Sequence, residues 1–135
     1  MAKESGIGAT LTIDDSGGTG RAVTNDIVST TFDTPRAELI VTGLDVSSQE
    51  RLLGLGDFTA TCVGVFNDAA STGWFTVISD ALSTDVARTW SYVLSAQTLT
   101  VETNCTGVSY PRGADGSQGI TATFALQSGT DPTWS

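Results

Sequence analysis

The chain has 135 residues, with six Lys and Arg against fifteen Asp and Glu, a net charge of −9, two Cys and no His. This balance argues against capture of nucleic acid through phosphate contacts. The missing His removes the commonest general base near neutral pH and, with only two Cys, any zinc-site spacing.

A single domain over 1–135 is expected. No apolar run approaches the ~20 residues of a membrane-spanning helix, and MAKESGIG lacks the apolar centre of a signal peptide, so no membrane anchor and a cytoplasmic origin are expected. Residues 1–8 read as a polar, glycine-spaced arm. Thr10 to Ile13 alternates as a strand with Leu11 and Ile13 inward. Asp14 to Gly20 is a turn in which Asx side chains and glycines bond locally, and it lacks the remaining ligands of a calcium loop. Gly17-Gly18-Thr19-Gly20 has neither the lysine nor the following helix of a phosphate-binding loop. Asp26 to Phe32 and Ala37 to Thr42 read as two strands of one hairpin, joined by Asp33-Thr34-Pro35-Arg36, because proline restricts itself and Thr34 to extended or turn geometry.

Ser47 stands three residues before Glu50, the spacing of a capping box, which predicts a helix of about two turns ended by Gly54 and Gly56. Phe58 to Phe66 alternates, with Phe58, Ala60, Cys62, Gly64 and Phe66 on one face. Trp74, Phe75, Ile78 and Leu82 recur on one side of a second helix over 74–82, capped by Ser71 or Thr72 and covering one sheet face.

Val86 to Ser95, Thr98 to Tyr110 and Ile120 to Leu126 read as further strands, with Asp115-Gly116 as a hairpin turn before the last. Cys62 and Cys105 fall on apolar strand faces as small buried hydrophobes, and their pairing stays open. The count is about seven strands and two short helices. The expected class is mainly β (α+β): an antiparallel β-sandwich or partly closed barrel with one or two short flanking helices. No catalytic constellation, cofactor motif or metal-ligand set is visible, and no enzyme is expected.

The segment Val41-Thr42-Gly43-Leu44-Asp45, then Glu50-Arg51-Leu52-Leu53, the Gly54-Leu55-Gly56-Asp57 turn and the strand ending Gly64-Val65-Phe66-Asn67 together resemble the centre of the major tail tube protein of long, non-contractile-tailed bacteriophages. Met1 to Asp15 and Asp131 to Ser135 look similar to that family too. The resemblance implies a structural virion protein whose hairpins join, six copies to a ring, in a β-barrel around a bore. Stacked rings would then form the tube through which the genome leaves. It implies self-association, contact with tape measure, terminator and distal tail proteins, and DNA that passes without specific binding.

On that reading the bore-facing acids are Asp26, Asp33, Glu38 and Glu102, subject to strand register, since a slip of one residue reverses the face. Pro35, Arg36 and Trp134 are the candidate inter-ring contacts, together with the N-terminal arm and the tail at about 128–135. Trp134 has a plainer alternative, a tail folded back on its own domain. The alternative function is a small β-sandwich binding or capsid-decorating module.

Overall fold

Alternating sequence becomes strand after strand. The computed structural model describes residues 5, 8–44, 47–81, 83, 87–127 and 132–135. Among these, the elements in chain order are β1 (Thr10–Asp14), β2 (Gly20–Ala22), β3 (Ile27–Asp33), β4 (Arg36–Ile40), β5 (Arg51–Gly56), β6 (Thr59–Val65), α1 (Trp74–Ile78), β7 (Arg88–Leu94), β8 (Gln97–Ser109), β9 (Gly119–Leu126) and β10 (Thr133–Trp134). The main sheet runs β2-β1-β7-β8-β9-β6-β3, β10 pairs with β8, and β4 and β5 form a separate two-stranded ribbon.

β8 belongs to two layers. Its first half, to Thr103, pairs with β7, and its second half, from Thr103 to Ser109, pairs with β9 across a bulge between Cys105 and Gly107. A bulge bends and twists the strand that carries it. The sheet consequently folds over, so that Phe32 of β3 lies 5.2 Å between ring centroids from both Trp90 and Tyr92 of β7. Among the described residues no strand pairing joins β3 to β2, and the result is an antiparallel sandwich rather than a closed barrel.

Between the layers the inward positions of each strand meet. Leu11, Ile13, Ala60, Cys62, Trp90, Leu99, Val101, Ile120, Ala122 and Phe124 are buried, each on the face its alternation predicts. The Leu, Ile, Val and Phe side chains among them stabilise by roughly 1.5–3 kcal/mol each when fully buried. Trp74 fills the α1 end of this core, and its indole Nε1 donates to the Ile120 carbonyl at 3.1 Å. Gly64 sits beneath that ring, where an added Cβ would come within 2.8 Å of it, so the strand needs glycine there. Gly116 supplies the expected turn with a φ of +92°, and Asp115 Oδ1 accepts from the Ser117 amide.

Three expectations are corrected. The helix expected after Ser47 is a strand: β5 pairs with β4, Leu39 opposite Leu52 and Ile40 opposite Arg51. Gly54 makes a poor helix interior, and its bare Cα lets Ala37 approach, since a Cβ would lie 2.9 Å from that of Ala37. Pairing with a distant segment has overridden the local capping pattern. The expected hairpin of the second and third strands does not form either, because β3 pairs with β6 and β4 turns away at Pro35, whose carbonyl accepts from the Asp57 amide. The second helix is one short turn, Trp74–Ile78, with Gly73 as N-cap and no side-chain cap. Neither Ser71 nor Thr72 caps it; Asp26 Oδ2 instead accepts from the Trp74 amide at 3.1 Å. Leu82, Val86 and Asp45 lie outside the described residues, as do 1–4, 6 and 7 of the arm and 128–131 of the tail.

Candidate self-assembly surfaces

The ribbon is the least satisfied part of the chain. Leu39, Ile40, Val41, Leu44, Leu52, Leu53 and Leu55 are all exposed, Leu53 by 67% and Leu55 by 88%. Leu39 and Leu52 share one face, while Ile40 and Leu53 share the other with the Glu38–Arg51 ion pair. Both faces are therefore apolar and open. Monomeric proteins rarely leave so much contiguous apolar surface uncovered, and such patches mark interaction sites. Arg36 at the ribbon's root donates from Nε to the Gly54 carbonyl at 3.0 Å.

Two sheet edges are also open. Among the described residues, β3 has β6 on one side and no strand on the other, and β8 from Asn104 to Ser109 has β9 alone, the described part of β7 ending opposite Thr103. Unpaired edges invite pairing with another chain unless charge, proline or shortness protects them. The other edges of the main sheet are short: β2 is three residues long and carries Arg21, and β10 is two residues long. β3 and the second half of β8 carry no Lys, Arg or Pro. They lie at opposite borders of the β3-β6-β9-β8 set.

The outer face of that set is dominated by hydroxyls. Pairing aligns Thr31 with Thr61 and Thr123, and Ser29 with Val63, Thr121 and Ser109. Thr106 and Thr123 hydroxyls lie 3.0 Å apart. Asp33 stands at one end of this face, opposite Thr59. Glu102 lies near the junction of the two layers, accepting from the Thr89 hydroxyl. Glu38 is on the ribbon, paired with Arg51. The Asp26 carboxylate is occupied at the α1 end, where it also accepts from Asn67 Nδ2 at 3.0 Å. The four acids named from the sequence thus lie in four separate places.

Of the three contact residues named from the sequence, Pro35 and Arg36 form the ribbon's root. Trp134 lies in β10, opposite Leu99, with its ring 6.1 Å from Phe32 and 46% of its surface exposed. The tail's end is folded onto its own domain.

One buried charge had no sequence signal beyond its place in an alternating strand. Arg88 is 1% exposed; its Nη1 donates to the Val77 and Asp14 carbonyls at 2.7 and 3.1 Å, and its Nη2 to Asp80 Oδ1 at 3.1 Å. It ties the end of α1 to β1 and β7. Burial would raise the Asp80 carboxyl, but bonds from Ser16 and Arg88 and the Arg88 charge hold it below its ordinary range. Asp15 is likewise held low by the Thr19 amide and the Arg21 side chain, which makes it the hub of the 14–20 turn. Cys62 and Cys105 are both free; burial pushes the Cys62 thiol up to about 11 and raises that of Cys105. Among the described residues no three His, Cys, Asp or Glu converge to hold a metal ion.

No protein-family model matches this chain, and no curated protein matches its sequence. Solved structures do match its shape. The tail of an empty gene transfer agent particle, refined with C6 symmetry, superposes with a TM-score of 0.77 at 14% identity, covering 98% of this chain and 99% of that one. The SPP1 tail tube gives 0.74 at 12% identity over 98% of this chain and 78% of the other. A sheath/tube terminator of an extracellular contractile injection system gives 0.71 at 11% identity, over 100% and 98%. Because a contractile system is among them, the likeness does not single out non-contractile tails. The chain has the fold of tail tube proteins.

Proposed function

We propose that this protein is a tail tube subunit of a phage or phage-like particle, located in the virion tail, whose copies join edge to edge into rings that stack around a bore for DNA. The observation that supports the reading is the pair of edges left open among the described residues, β3 and the second half of β8, on opposite borders of one four-stranded set. Unlike edges that meet head to tail form a ring when the rotation closes. Six copies are the natural number, supported by the C6 symmetry of the matching gene transfer agent tail.

In such a ring the β3-β6-β9-β8 set becomes a continuous barrel. The second layer, with β1, β2 and β7, needs the larger outer circumference, which leaves the hydroxyl-rich face toward the bore. Hydroxyls hold a layer of water and add no positive charge to draw in phosphate. Asp33 and Glu102 are the strand carboxylates best situated to add repulsion, acting within a Debye length of ~8 Å at physiological salt. Transport is then passive, and catalysis has no part in it. The ribbon rooted at Pro35 and Arg36 bridges copies, and the exposed half of Trp134 is a secondary contact. Tape measure, terminator and distal tail proteins are the expected partners, in a long non-contractile tail as the sequence resemblance implies.

Negative-stain microscopy with native mass spectrometry of the purified chain tests this. Rings or tubes with a central hole are expected. Monomers under every condition would reject the proposal and favour a binding module.

A further inference from the structure

The ribbon's apolar faces need an occupant, and a second apolar surface lies at the far end of β6. The ribbon leaves the body beside Asp33 and Thr59, where Asp57 bonds to Pro35. At the other end, about 20 Å away at ~3.3 Å per residue, Phe66 is 43% exposed and its ring lies 4.7 Å from that of Phe75. Each end is acidic overall but offers one charge that could pair with the other, Arg36 beside Asp33 and Asp57 at the root and Asp68 beyond Phe66 at the far end. Arg36 at the ribbon root makes no ion pair among the described residues, and Asp68, two residues beyond Phe66, is exposed and makes no hydrogen bond or ion pair among them.

We infer that the ribbon of one copy docks on the Phe66–Phe75 face of a second copy in the next ring, with Arg36 opposite Asp68. The inference depends on the tail tube reading and names the surface that receives the ribbon. Surfaces at opposite ends of the same strand are unlike and cannot satisfy each other within one molecule, but they meet when copies repeat by translation along the strand direction. That is an open, heterologous contact, which propagates rather than closes. The exposed leucines, with Ile40 and Val41, supply the apolar surface for the contact. Arg36 and Asp68 supply register. An exposed pair is weak alone, but every junction between rings repeats it, and linked contacts multiply.

The test is charge reversal in the purified full chain, read by the sedimentable fraction and by stack length in negative stain, with far-UV circular dichroism to verify folding. Arg36→Asp or Asp68→Arg alone lowers the stacked fraction by about tenfold or more, and the combination restores it to within about twofold. As a second variant, Phe66→Ser lowers stacking while single rings persist. Single reversals without effect, or a combination that fails to restore stacking, overturn the inference while wild-type tubes still uphold the tail tube reading. Wild-type protein that never forms rings or stacks overturns that reading and the docking together.

Discussion

The sandwich and the ribbon use the same kinds of residue in opposite ways. In the sandwich, Trp74, Trp90, Phe58 and Phe124 are buried, and even Arg88 is enclosed with its hydrogen bonds made. In the ribbon, Leu39, Leu44, Leu52, Leu53 and Leu55, half of the leucines in the chain, stand in solvent. A chain that could have buried them in its own core has placed them on an arm that packs chiefly against itself. The body is built for stability as a single molecule. The ribbon gains its apolar contacts only from another copy, so stability and assembly should be separable by mutation.

Substitutions in the two regions should therefore give opposite phenotypes. Trp74→Ala removes a buried ring and its bond to Ile120, and is expected to cost about 3–5 kcal/mol in urea unfolding. Leu52→Ser with Leu53→Ser is expected to change folding free energy by less than ~0.5 kcal/mol, yet to abolish sedimentable assemblies. A ribbon double variant that unfolds the monomer would show that the two regions are one energetic unit.

Arg88→Met gives the next largest effect. It preserves apolar bulk but removes the donor to the Asp14 and Val77 carbonyls and one of the donors to Asp80, which keeps Ser16. A buried carbonyl left without a donor costs about 1–3 kcal/mol, and the lost ion pair adds little because Asp80 is partly exposed and keeps its Ser16 bond. Chemical denaturation measures it. Unchanged stability would mean that α1 is not held through Arg88.

How much of this was legible in the sequence follows from the range of the interactions. β1, β6, β8 and β9 were readable because their alternation is local and their burial follows it: Leu11 and Ile13 inward, Ala60 and Cys62 inward, Leu99 and Val101 inward. β5 was not, because Ser47 and Glu50 imitate a capping box while the decisive partners, Leu39 and Ile40, come from an earlier segment. β2 and β10 are too short to show a period. The ribbon's root at Pro35 and Arg36 was visible as a break in the chain. Its exposed leucines were not, since an apolar residue looks the same in sequence whether a core or a neighbour is to cover it. The hydrogen bonds of Asp26, read from the sequence as a bore-facing acid, were not legible, because Asn67 and the Trp74 amide lie 41 and 48 residues away.

Acid should weaken the body. Burial favours the neutral form of Asp80, but the Ser16 and Arg88 bonds and the Arg88 charge win, so its folded-state value lies below the ordinary 3.8. A group depressed on folding stabilises fully above its unfolded value, and that contribution fades as pH falls through the folded one. The urea midpoint should accordingly be flat near pH 6 and drop below about pH 4, with a shallower drop in Asp80→Asn. An identical acid slope in that variant would remove Asp80 from the account.

Thiol chemistry gives the mildest probe and compares the two regions within one molecule. Cys62 is buried in the sandwich with its thiol pushed up to about 11, so at pH 8 little thiolate forms and labelling should await opening of the body. A thiol introduced by Leu53→Cys on the ribbon should label at the rate of a free cysteine in dispersed protein. It should become protected in assemblies, because docking covers the ribbon without altering the core around Cys62. Equal labelling of the Leu53→Cys thiol in dispersed and assembled protein would leave the ribbon facing solvent in the tube, and its leucines would then need an occupant other than a neighbouring copy.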